Sequence, residues 1–148
     1  MSPAQTQQPF ARSYLATALL SLIGLADALY LTVQDLTGQT FRCTLSGCSE
    51  VLSSPYAHIG KLPLAMLGAG AYFTVFSLSI LGAFGYRFAE PLLASLVSVM
   101  FLMTLWLLYL QAFVIHHFCQ YCLLSAAVTS VMAIIVLISA RLRRRSRV

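Results

Sequence analysis

Four apolar stretches divide this chain, and they decide most of what it can become. A membrane-spanning helix needs roughly 20 mainly apolar residues. The stretches cover about residues 14–33, 63–84, 91–115 and 119–140, and each meets that length. No alternating pattern of a closed β-barrel is present. Helices are then the way to satisfy the backbone in lipid. The predicted fold is an all-α membrane protein, a four-transmembrane-helix bundle with a long outer loop, residues 34–62, between helices 1 and 2. Pro63 and Pro91 suit first helical turns, where a missing N–H costs little.

Composition agrees with lipid as the main solvent. Of the 148 residues, 59% are hydrophobic and 9% charged, against about 25% charged in ordinary soluble domains. The first stretch exceeds the apolar core of a cleaved signal peptide, and three more follow, so it reads as a retained helix.

The net charge of +5 would suit nucleic acid if it were spread over a face. Instead Arg141, Arg143, Arg144, Arg145 and Arg147 crowd the last eight residues. Such a tail behind an apolar stretch is a topology signal. Arg12, Arg87 and these five fall on one side of four spans, and only Arg42 and Lys61 on the other. The positive-inside rule puts the richer side, with both termini, in the cytoplasm of a bacterial inner membrane. Residues 1–12, rich in Gln, read as disordered. Residues 13–140 form the four-helix domain and 141–148 a basic tail.

This orientation puts Cys43, Cys48, Cys119 and Cys122 at the extracytoplasmic face, where disulfides persist. They form two unlike pairs. Cys43 and Cys48 lie in the long loop, and loops of that length are often functional. Cys119-Gln120-Tyr121-Cys122 stands at the start of the fourth helix. Positions i and i+3 share a helix face, and the free N–H groups and positive dipole end of a first turn stabilise a thiolate, the reactive form in exchange. Two static disulfides are the bland reading, giving a disulfide-stabilised scaffold or subunit. A four-cysteine zinc site is another. Covalent haem needs His after Cys-x-x-Cys, and Leu123 stands there. A transporter is disfavoured by the scarcity of intramembrane charge.

Asp27, in the outer half of helix 1, is an intramembrane acid and so a functional candidate, weighed against an acid reaching water at the interface. His116 and His117 border the Cys-x-x-Cys and suit solvent exposure or proton donation. His58 and Lys61 are loop candidates for a headgroup site. Trp106, Tyr109 and Tyr121 read as interfacial aromatics. Gly68, Gly70 and Ala71 read as close-packing residues.

The sequence resembles bacterial members of the vitamin K epoxide reductase family. The resemblance rests on Cys43, on Cys48-Ser49-Glu50-Val51-Leu52-Ser53-Ser54-Pro55-Tyr56, and on Gly60-Lys61-Leu62-Pro63 leading to Gly68. Downstream it rests on Tyr109-Leu110-Gln111 and Phe118-Cys119-Gln120-Tyr121-Cys122. It spans about residues 13–140. It implies four helices around a quinone, ubiquinone or menaquinone, as electron acceptor. It implies that Cys122 lies nearest the quinone and that Cys119 pairs with Cys122 in one state and Cys48 in another. Cys43 then takes electrons from a thioredoxin-fold partner, and Ser54 helps form the headgroup site. A fused thioredoxin-like domain, common in bacterial members, is missing after residue 140, which implies a separate disulfide-forming (DsbA-like) partner. Animal members carry Tyr four positions past the second cysteine. Ala126 stands there, favouring plain quinone reduction. The other four-helix quinone reductases of oxidative folding place Cys-x-x-Cys before the spaced pair, the reverse of the order here.

Overall fold

The computed structural model describes residues 8–38 and 47–146. Helix α1 runs Gln8–Thr37, α2 Cys48–Leu52, α3 Leu64–Ala83, α4 Ala89–Tyr109 and α5 Gln120–Ser146. Four of these are long and apolar enough to cross a membrane, over Ala11–Thr37, Leu64–Ala83, Ala89–Ile115 and Gln120–Arg145. The predicted bundle is therefore present, with the short α2 in the outer loop. The arginines at 141–145 extend α5 rather than following it.

The outer surface is what lipid requires. Phe73, Val99 and Leu102 are each at least 60% exposed, and patches of that kind are rare on soluble monomers. Several serine and threonine hydroxyls within the spans are satisfied by their own helices. Thr17 donates to the Ser13 carbonyl at 2.9 Å, Thr32 to Ala28 at 2.7 Å and Ser79 to Val75 at 2.8 Å. This back-bonding hides polar atoms where no water can serve them.

The core joins all four spans through Ala28, Tyr72, Val75, Leu93, Val97 and Met132. Helices α1 and α3 pack together through two glycines. A β-carbon at Gly24 would stand 2.3 Å from the Tyr72 ring, and one at Gly82 would stand 2.6 Å from the Tyr14 ring. Each glycine is thus a seat for a tyrosine on the opposite helix. Gly68 and Gly70, expected to serve close packing, do not. A β-carbon at either meets nothing within 4 Å.

One end of the bundle is tied by Arg143 of α5. Its guanidinium donates to Glu90 of α4 and, at 3.1 Å, to the Tyr14 hydroxyl of α1. The other end carries the loop. After α2, a turn at Pro55–Ala57 leads to the hairpin β1 His58–Ile59 and β2 Leu62–Pro63, paired antiparallel with Ile59 opposite Leu62. Gly60, at φ +67°, supplies the left-handed residue that this two-residue turn needs.

Candidate functional site

The site forms where the loop end of the bundle meets the α4–α5 connection. Helix α4 does not stop at Tyr109. It widens into a π-helical turn over Leu110–Ile115 and is ended by His116 in the left-handed region, at φ 59°. A non-glycine residue there is uncommon, and π turns recur at functional sites. The widened turn buries Gln111 at 2% exposure and leaves His116 and His117 exposed.

Gln111 faces the first turn of α5. Its side-chain oxygen accepts the Cys119 N–H at 3.2 Å, satisfying a helix-end donor that would otherwise be orphaned in the interior. Its side chain also hydrogen-bonds Cys122. Gln111 therefore touches both ends of the Cys-x-x-Cys. Its motif position in the sequence marks it, but not this role.

Cys119 and Cys122 are free thiols, and Cys119 is fully buried. The Cys119 thiol is lowered to about 7. The leading cause is the hydrogen bond from the Cys122 thiol. The backbone N–H groups of Cys122 and Tyr121 act the same way, and burial opposes them. The stabilised thiolate at the helix start is thus Cys119, the residue just before α5, with Cys122 as its donor one turn later.

Cys48 opens α2 and is disulfide-bonded. It is 1% exposed and packs with Val51 and Cys119 in one buried cluster, against Leu52, Ile115, Tyr121 and Cys122. Gly47 makes this possible. A β-carbon there would stand 2.8 Å from the Phe118 carbonyl oxygen, so the loop lies directly on the α4–α5 connection. Cys43 lies outside the described residues.

Behind these thiols is a cavity of about 680 Å³, within the range of small-molecule sites. It is mostly apolar. Its polar lining includes Asp27 and Asp35 of α1, Ser54 and His58 of the loop, and Gln111 and Cys122. Leu67 of α3 and Val99 and Leu102 of α4 line it while remaining exposed, so it meets the lipid-facing surface between α3 and α4. Tyr72 closes its inner side, its hydroxyl bonded to Ser125 Oγ at 2.7 Å and Thr129 Oγ1 at 2.9 Å.

Ser54 lines the cavity, and its hydroxyl donates to the Val51 carbonyl at 2.7 Å. It therefore offers lone pairs to the cavity while its proton is held in the loop. His58 lines the cavity and is hydrogen-bonded to Asp35, Nε2 to Oδ2 at 3.1 Å. Lys61 is exposed and outside the lining, as are His116 and His117. Trp106, Tyr109 and Phe113 stack along exposed α4, with ring centroids 5.9 and 5.1 Å apart, as interfacial aromatics do. Tyr121 packs on Tyr30 of α1 at 5.3 Å.

The arrangement is suited to passing a disulfide inward. A buried cysteine from the loop shares a cluster with a buried thiol whose helical partner lines an apolar cavity open to lipid. Among known proteins, the model of the Vitamin K epoxide reductase family matches residues 15–137.

Proposed function

Because the chain belongs to the vitamin K epoxide reductase family, membrane thiol–disulfide oxidoreductases linked to quinone, we propose that it reoxidises a thioredoxin-fold, disulfide-forming partner and passes the electrons to a membrane quinone, ubiquinone or menaquinone. The work supports extracytoplasmic disulfide formation. Both termini then face the cytoplasm of a bacterial inner membrane, and the thiols face the other side.

One observation carries this reading. Cys48 and Cys119 share a buried cluster, and Cys122, one helical turn on, lines the cavity. The cavity fits a quinone headgroup in size and in its apolar walls with few polar groups. Cys122, Gln111 and Ser54 would hold the headgroup, and the quinone supplies the two-electron acceptor.

The residues act in sequence. A reduced partner attacks the loop disulfide at Cys43 and releases the Cys48 thiolate. Cys48 attacks Cys119 and opens a Cys119–Cys122 disulfide, since exchange needs a thiolate to reach a disulfide sulfur. Cys122, now free beside the cavity, delivers the electron pair. Cys43, released as the partner closes its own disulfide, attacks Cys48 and reforms the loop disulfide, and the Cys119 thiolate so freed closes on Cys122 as that electron pair leaves for the quinone. The relay runs downhill where the quinone couple is the more oxidising.

The test is anaerobic. Purified protein is mixed with a reduced thioredoxin-fold protein and either ubiquinone or menaquinone, and quinol formation is followed by absorbance. Folded protein that reduces neither quinone would sink the reading. Cys122→Ser should abolish quinone reduction, and Cys43→Ser should block the partner while sparing part of the dithiothreitol-driven rate.

A further inference from the structure

We propose that Asp27 is the proton-transfer group of the cavity, carrying to the quinone the protons that the Cys119 and Cys122 thiols release. This rests on the quinone reading above and deepens it.

Closing the Cys119–Cys122 disulfide breaks two S–H bonds and forms one S–S bond. Two electrons and two protons leave the protein. Reducing a quinone forms two O–H bonds and consumes both. Electrons pass through Cys122, but the protons need an acceptor that can hold them between sulfur and oxygen. Water does this at a surface. In an apolar cavity beside lipid, a side chain must.

Asp27 has the required position. It lines the same cavity as Cys122, from the facing helix α1. It lies close enough for its charge to act on the Cys119 thiol. It is 8% exposed, and its Oδ2 is buried with no hydrogen-bond partner. Buried polar atoms are otherwise almost always paired. A carboxyl oxygen buried without a partner in a residue of the cavity wall is free to take a proton.

Four other polar groups of the cavity are engaged or have no proton to give. Asp35 is tied to His58 at 3.1 Å. The Ser54 proton is held by the Val51 carbonyl. Tyr72 is bonded to Ser125 and Thr129. Gln111 has no proton to exchange. Among the described acidic residues of the lining, Asp27 is the one with a buried oxygen that has no hydrogen-bond partner. Intramembrane acids mark proton relays elsewhere.

The sequence of transfers balances. Ionised Asp27 takes the Cys122 thiol proton as the electron pair leaves the sulfur, and hands it to a quinone oxygen. It then takes the Cys119 proton as the S–S bond closes, and hands it to the second oxygen. Asp27 ends as it began.

The experiment uses the purified full chain, pre-reduced, with decylubiquinone as probe, and the variants Asp27→Asn and Asp27→Glu. Asp27→Asn should lower the single-turnover rate of quinol formation by about 100-fold or more, the usual worth of a positioned proton carrier. Asp27→Glu should restore most of it. Reduction of the cysteines by dithiothreitol without quinone should change far less than quinol formation in both, since it passes no proton to a quinone. Independently of turnover, the infrared difference spectrum between dithiol and disulfide protein should show a carboxyl C=O band that Asp27→Asn removes. A wild-type rate in Asp27→Asn, or a difference spectrum with no carboxyl band, overturns the proposal. If Asp27→Asn fails to fold, the wild-type infrared band and the Asp27→Glu rate decide it. Wild-type protein that exchanges thiols but never reduces decylubiquinone refutes the quinone reading instead.

Discussion

Gly47 is pressed against Phe118 so closely that a β-carbon at 47 would stand 2.8 Å from the Phe118 carbonyl oxygen. The obstructing atom is backbone, in a connection already held by the left-handed His116, so it cannot swing aside. This contact seats Cys48, the next residue, in the buried cluster with Cys119. Gly47→Ala therefore pushes α2 off its seat. Overpacking of this kind costs about 1–3 kcal/mol. Partner-driven quinone reduction should fall roughly five- to 150-fold if that cost opposes the Cys48–Cys119 encounter. Dithiothreitol, which reaches the helical pair without the loop, should drive quinol formation nearly as before. Stopped-flow assays with the two donors check this, and an equal loss with both would assign the defect elsewhere.

The low Cys119 thiol predicts a pH dependence. A thiol lowered from 9.0 to about 7 is mostly thiolate by pH 8, where an ordinary cysteine is mostly protonated. Thiolate absorbance of the reduced protein should rise with an inflection near 7. In Cys122→Ala, which removes the leading cause of the shift, the inflection should move upward. Stability follows the same sign. Between pH 7 and 9 the unfolded chain binds more protons than the folded one, so reduced protein should gain stability as pH rises through that window. It should lose the gain as pH falls through about 7. Chemical denaturation at several pH values measures it, and a flat profile for the reduced form would contradict the shift.

The spans were legible in the sequence because lipid imposes length and apolarity on each segment separately, and both survive without tertiary information. The cysteine pairs were legible for a similar reason: their spacing is local chemistry. Asp27 stood out as an acid in an apolar stretch. What makes it distinctive, an unpaired oxygen over a shared cavity, depends on how α1 is rotated against α5. Gln111 was hidden more deeply. Its inward aim comes from the π turn at Leu110–Ile115, which changes the helical phase that any regular periodicity would assign. The glycines show the same limit. Gly24, Gly68, Gly70 and Gly82 look alike as small residues, and only the opposite tyrosines distinguish them.

That distinction is measurable. Gly24→Ala puts a β-carbon 2.3 Å from the Tyr72 ring. The ring is held by Ser125 and Thr129 and can yield only by breaking those bonds, so the variant should lose about 1–3 kcal/mol. Gly68→Ala meets nothing within 4 Å and replaces a poor helix former with the best one. It should be neutral or gain up to about 1 kcal/mol. Thermal unfolding of both in one detergent tests the pair. Equal destabilisation would mean that helix rotation differs from that described.

Gln111 has two separable duties, and two substitutions can divide them. Its side-chain oxygen accepts the N–H of fully buried Cys119, and its side chain also hydrogen-bonds Cys122. Gln111→Leu removes both. The Cys119 N–H is then left unpaired in the interior, at a cost of about 1–3 kcal/mol. Gln111→Glu keeps an acceptor for the N–H but replaces the amide donor beside Cys122 with an acid, altering the field at the sulfur that the proposed relay uses to deliver electrons. Thermal melting should therefore fall for Leu and change little for Glu, while quinol formation falls for both. Amide hydrogen exchange at Cys119 separates the effects further, since it should quicken in Gln111→Leu alone. If Glu melted as early as Leu, the side-chain oxygen would not be what holds the first turn of α5.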